Sequence, residues 1–229
     1  MEKNSATAPS SLTGGASAMP ASAGSSAGAA ASAKANSRTT AIARTGMIAA
    51  VYAAATLVAL LALQGLAWGP VQFRISEAVC VLALLTPNAI PGLTIGCALA
   101  NLIALAINGT GALGLLDVVF GSLATCLGAL WCWKMRGNPK IAVLGPVIAN
   151  ALIVPAYLPL LLQGIGFYTI PFTSISLDGS WGLMYLFGLV TTGAGEAVIM
   201  YVLGYPLQRS LANTPFMKRE LAQMGTTAK

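Results

Sequence analysis

From about Gly46 to Leu207 the chain alternates long apolar stretches with short polar connections, and this pattern restricts the folds open to it. A helix needs about 20 predominantly apolar residues to cross the hydrocarbon core of a bilayer. Six apolar segments are legible: about Gly46 to Leu66, Ile75 to Thr86, Ile90 to Ile107, Leu113 to Trp133, Ile141 to Gln163 and Trp181 to Leu207. The second is short, and the break from Pro87 to Pro91 separates it from the third as a helix of its own. Only 8% of the 229 residues are charged, against about 25% in soluble domains. The expectation is an all-α integral membrane protein, multi-pass in the cell membrane, with six transmembrane helices.

The charges orient that bundle. With the N-terminus cytoplasmic, Lys3, Lys34, Arg38 and Arg44 are inside, as are Lys134, Arg136 and Lys140 between the fourth and fifth segments. Arg209, Lys218, Arg219 and Lys229 are inside as well, which leaves Arg74 as the one basic residue of twelve on the outer side. Six spans with both termini cytoplasmic satisfy the positive-inside rule, and a five-span arrangement puts the last four basic residues on the wrong side. The net charge of +6 thus reads as membrane orientation, with no basic stripe for nucleic acid.

Residues 1–44 are rich in Ala, Ser and Gly and lack an apolar core near Met1, so they read as a disordered cytoplasmic tail without a secretory signal. Residues 45–209 form the membrane domain and 210–229 a basic cytoplasmic tail. The four cysteines, Cys80, Cys97, Cys126 and Cys132, fall inside apolar segments and read as small buried residues. With no histidine and no C-x-x-C pair, neither a metal site nor a cofactor is expected. There is no phosphate loop and no dinucleotide fingerprint, so nucleotide energy would have to come from a partner.

Polar residues inside such segments call for a reason, because they must face a bundle interior or a cavity. Arg74 and Glu77, three residues apart, share a helix face and can meet each other or a common ligand. Asn101, Asp117, Asn150 and Glu196 come from four further segments and can converge with them on one outward-facing pocket. Each has a plainer role as well. Arg74 can anchor at the interface, the asparagines can join helices, and Asp117 can sit at a helix N-terminus. Glu196, following Gly193-Ala194-Gly195, is the hardest to assign to packing. The connection from Gly164 to Ser180, with Phe167, Tyr168, Phe172 and Asp178, reads as a lid or as interfacial aromatics.

Several runs resemble the QueT family: Gly69-Pro70-Val71-Gln72-Phe73-Arg74-Ile75-Ser76-Glu77-Ala78, Ala89-Ile90-Pro91-Gly92-Leu93 with Ile95-Gly96-Cys97, Leu115 to Thr125, and Gly195-Glu196. The likeness covers about residues 45 to 209. It implies a six-helix substrate-binding (S) component of an energy-coupling factor (ECF) transporter, importing a queuosine precursor. The same resemblance implies a transmembrane coupling protein and two cytoplasmic ATPases as partners. It also implies a coupling face of small residues on the first helix, where Ala49 with Ala53 and Ala50 with Ala54 both fit. A deazaguanine ring presents two adjacent N–H donors, which Glu77, Asp117 or Glu196 can accept. Two other classes are compatible with the residues: a solitary proton-coupled carrier, and an intramembrane enzyme using Glu196 and Asp117.

Overall fold

A computed structural model describes residues 23–63, 74–109, 111–164, 176, 180–215 and 217–218. By contacts the chain divides into two compact units, Met1–Thr39 and Thr40–Lys229. The first is helical from Ala23 in its described part, with the Thr39 hydroxyl donating to the Ala35 carbonyl. Alanine's helix propensity is the local reason for helix in this Ala/Ser/Gly-rich stretch. Everything below concerns the second unit.

The helices are α1 (Ala23–Leu63), α2 (Ala89–Asn108), α3 (Gly114–Leu116), α4 (Ser122–Lys134), α5 (Pro139–Ala142), α6 (Leu144–Gly164), α7 (Trp181–Val198) and α8 (Tyr205–Ala212). A 3-10 helix, Ile75–Leu84, lies between α1 and α2. Wider π turns, Asp117–Gly121 and Ile199–Gly204, join α3 to α4 and α7 to α8. No strand occurs among the described residues.

Five helical stretches are long and apolar enough to cross a membrane: Ser32–Ala62, Ala89–Ile107, Gly111–Lys134, Pro139–Tyr157 and Trp181–Ala212. Of the six expected spans, the second is apolar but short, and it adopts the 3-10 form. That form rises about 2.0 Å per residue against 1.5 Å in an α-helix, so its ten residues reach about 20 Å. Three residues per turn also align side chains in rows. Glu77, Cys80 and Ala83 make one buried row, Ala78, Val81 and Leu84 a second, and the half-buried Val79 and Leu82 follow the third.

The packing is inverted relative to a water-soluble protein. Large apolar side chains such as Ile95, Leu99, Leu102 and Ile103 of α2 point outward. The opposite face of α2 buries Leu93, Cys97, Ala100, Asn101 and Ala104. Small residues in the interior let helices approach closely, as in membrane bundles, where lipid removes the hydrophobic drive between helices. The core gathers Tyr52, Cys80, Val81, Leu84, Leu93, Cys97, Ala129, Cys132 and Met200. Cys126 is half-buried, and all four thiols are free.

Gly92 and Gly96 set the contact between α1 and α2. A Cβ on Gly96 would stand 2.7 Å from the Ala49 carbonyl oxygen and 3.0 Å from its Cα. One on Gly92 would meet Ile48 and the Thr45 carbonyl at 2.9 Å. The same logic joins α4 to α6, where a Cβ on Gly128 would lie 2.8 Å from Pro146 Cα. Gly46, in contrast, has nothing within 4 Å of its would-be Cβ. Gly96→Ala is therefore expected to cost about 1–3 kcal/mol through forced separation of two backbones. Gly46→Ala should be neutral or stabilise by about 0.5–1 kcal/mol through helix propensity. Thermal melts of the two variants in detergent check the contrast.

Candidate functional site

Helices α1, α2, α4, α6 and α7, the 3-10 helix and the first π turn all bring polar side chains into the interior of this unit. Arg74 stands at the N-terminal end of the 3-10 helix, and its carbonyl accepts from the Glu77 N–H at 2.9 Å. The side chains then diverge. Arg74 Nη2 donates to Asn101 Oδ1 at 3.0 Å and approaches Cys97 Sγ at 3.8 Å. The Asn101 amide donates in turn to the Asp117 carbonyl oxygen at 2.8 Å. The chain of contacts thus runs from the 3-10 helix through α2 to the first π turn.

Glu77 is fully buried and accepts three hydrogen bonds. Tyr52 of α1 donates to Oε1 at 2.6 Å and Thr125 of α4 to the same oxygen at 3.1 Å, while the Cys80 thiol donates to Oε2 at 3.0 Å. An ionised acceptor strengthens such bonds, and a carboxylate taken out of water needs them. Among the described residues neither Arg74 nor Glu77 hydrogen-bonds the other's side chain. The i, i+3 spacing that suggested a neutral pair instead sends the two groups to different helices. Their charges remain within electrostatic reach.

Asp117 opens the first π turn, and its Oδ1 accepts from the Tyr157 hydroxyl at 2.6 Å. Tyr157 stacks on Phe120, with ring centroids 5.7 Å apart. Both rings line an apolar cleft of about 510 Å³ together with Leu116, Leu123, Leu152, Ile153, Ala156 and Leu160. Gly121, one turn after Asp117, leaves room for the cluster, because a Cβ there would stand 3.0 Å from Asn101 Nδ2 and 3.6 Å from Arg74 Nη1.

A second group lies on α6 and α7. Asn150, Thr192 and Glu196 are almost wholly buried. Thr192 and Glu196 are one turn apart on α7, and Asn150 lies beside the Glu196 carboxyl outside hydrogen-bond geometry. Glu77 and Arg74 are within electrostatic reach of Glu196. Both amide atoms of Asn150, the Thr192 hydroxyl, Glu196 Oε1, Ser76 Oγ and Arg74 Nη1 are buried without a hydrogen-bond partner. Buried polar atoms are nearly always paired, so these unpaired ones set the region apart from the rest of the interior. No group of His, Cys, Asp and Glu able to hold a metal ion occurs among the described residues.

The six residues expected to form the site thus fall into two sets. Arg74, Asn101 and Asp117 are joined by direct hydrogen bonds, Glu77 connects to them through Thr125 and Cys97, and Tyr52 and Tyr157 each hold one acid. Asn150 and Glu196 stand beside that cluster with buried polar atoms left unpartnered. Tyr52, Thr125 and Tyr157 were not among the expected site residues and Cys97 was read only as a small buried residue; the signal for Thr125 is the 4-residue spacing of Asp117, Gly121 and Thr125. Ala49, one of the small residues that fit a partner face, is buried against α2, and Ala53 is half-buried. The lid aromatics Phe167, Tyr168 and Phe172 lie outside the described residues.

A unit that is all-helical among its described residues, with span-length apolar helices and a polar, charged interior, is a multi-pass membrane protein. Comparison with known families narrows the class. The family described as QueT transporter matches residues 42–213, and the chain belongs to that family. No curated protein and no solved structure matches the chain.

Tyr52→Phe deletes one of the three donors on Glu77 without changing the ring. It is expected to lower stability by about 1.5–3 kcal/mol, the range for hydrogen bonds to charged groups. A thermal melt beside wild type reads the loss.

Proposed function

We propose that the chain is the substrate-binding component of an ECF-type transporter that imports a queuosine precursor of deazaguanine type. The observation that carries this reading is the set of unpartnered buried atoms around Arg74, Asn150, Thr192 and Glu196, inside a member of a transporter family. A solute with several donors and acceptors would complete those atoms, as an apolar solute would not. Arg74 faces three carboxylates, Glu77, Asp117 and Glu196, so a site with all of them ionised is net negative. One carboxylate would read the ring edge, and another would balance Arg74 or an amine on the precursor.

In this reading residues 45–209 are the membrane domain, with the 3-10 helix acting as the short second of six crossings. Both termini, residues 1–44 and 210–229, are cytoplasmic, and the pocket opens outward. The basic residues argue for that orientation through the positive-inside rule. Transport then needs a transmembrane coupling protein and two cytoplasmic ATPases.

Exposure favours the register of Ala50 and Ala54 over that of Ala49 and Ala53 for the coupling face. Ala50 and Ala54 are exposed on α1, Gly46 continues their 4-residue spacing, and Met47, Val51 and Val58 flank them with exposed apolar surface. Small residues four apart allow another helix to come close. The coupling face is therefore Gly46, Ala50 and Ala54, with Ala49 facing inward.

Two measurements test the reading. Cells expressing the chain with an ECF module should accumulate the precursor, and omission of the module should abolish uptake. Uptake that persists without the module and collapses with the proton gradient would identify a solitary carrier instead. Ala50→Leu with Ala54→Leu should reduce uptake at least about tenfold by blocking close helix approach, while binding by the purified protein stays at the wild-type level.

A further inference from the structure

The polar interior contains two kinds of side chain, distinguished by what already occupies them. Glu77 has both oxygens engaged, by Tyr52, Thr125 and Cys80. Asn101 uses its oxygen for Arg74 and its amide nitrogen for the Asp117 carbonyl. Asp117 Oδ1 holds Tyr157. These groups bind one another and thereby fix the 3-10 helix, α1, α2, α4 and α6 in register.

Glu196, Asn150 and Thr192 have the opposite character. At 2%, 1% and 3% exposure they are as buried as the first set, yet Glu196 Oε1, both Asn150 amide atoms and the Thr192 hydroxyl meet no partner. Thr192 and Glu196 share a face of α7, and Asn150 projects beside Glu196 from α6. The two backbones are close at this level, since a Cβ on Gly193 would come 3.2 Å from the Ala151 Cβ. Arg74 contributes one further free donor, Nη1.

We infer that Glu196, Asn150 and Thr192 are the specificity-determining residues, and that they read a cyclic amide edge with an amino group beside its ring N–H. Glu77, Asp117 and Asn101 are positioning residues. This rests on the transport reading above and deepens it. A carboxylate accepts in parallel from two adjacent donors, here the ring N–H and the exocyclic amine. The carbonyl on the other side of the ring N–H needs a donor, which the Asn150 amide or Arg74 Nη1 supplies. The Thr192 hydroxyl accepts the second amine proton. A ligand carboxylate is repelled at Glu196, and a ring without the amine leaves one Glu196 oxygen unpaired.

The test is a cycle between protein and ligand, with the full chain in lipid nanodiscs and two probes, 7-deazaguanine and 7-deazahypoxanthine, which lacks the amine. Wild type should bind the first about tenfold or more tightly over the second, since a site built to hydrogen-bond a group rejects the analogue lacking it. Glu196→Gln should reduce that preference to within about twofold, because one of the paired acceptors is gone. Asn150→Ala should weaken both probes equally, since both carry the carbonyl. Glu77→Gln should melt earlier yet keep the preference.

Retention of the preference by Glu196→Gln, its loss in Glu77→Gln, or equal binding of the probes by wild type overturns the inference and leaves transport standing. Should Glu196→Gln fail to fold, Thr192→Val decides: a selective loss for 7-deazaguanine supports the assignment, and an unchanged preference overturns it. Wild type that binds neither probe overturns the deazaguanine reading itself, and the inference with it.

Discussion

The burial of Glu77 is the constraint on which the rest of this unit depends. A carboxylate with no exposure is tolerated only when its lone pairs are occupied, and three residues on three elements do this. Tyr52 brings α1, Thr125 brings α4, and Cys80 comes from the next turn of the 3-10 helix itself. Eclipsed rows in that helix aim Glu77 and Cys80 the same way, which the 100° step of an α-helix would not do as closely. The geometry of a short, stretched helix and the chemistry of one acid are therefore a single requirement.

Around that point the interior is arranged by charge. One guanidinium lies within electrostatic reach of three carboxylates in a region where apolar side chains form the outer wall. Such groups are expensive in a membrane interior and are retained where they handle solutes or protons. The two π turns stand next to this region, one opening at Asp117 and the other beginning three residues after Glu196. Wider turns of this kind recur at functional sites, because they shift the face a helix presents without ending it.

Much of the architecture was readable from residues alone, because hydrophobic length and glycine spacing act locally. The apolar stretches marked the span-length helices, and the 4-residue spacing of Gly92 and Gly96 is the sequence trace of the close contact of α1 and α2. The polar candidates were readable for the same reason: a charge in an apolar run is conspicuous. Their pairing was not. Arg74 and Glu77 look like partners by spacing, yet each finds a better partner on another helix, and tertiary geometry alone decides that. Tyr52 and Tyr157 escaped notice because tyrosine is ordinary in membrane segments until its hydroxyl is seen to reach an acid. The 3-10 form of Ile75–Leu84 escaped too, since a short apolar run does not distinguish one helical pitch from another.

The cleft between α4 and α6 bears on how the polar interior is sealed from its surroundings. Tyr157 lines that apolar cleft with its ring and holds Asp117 with its hydroxyl. At this point the partition between hydrocarbon and charge is one side chain thick. Phe120, stacked against the same ring, acts as a second leaf of that door. A smaller residue at position 157 would give Asp117 a sideways view of the bilayer, exchanging a gasket for a leak.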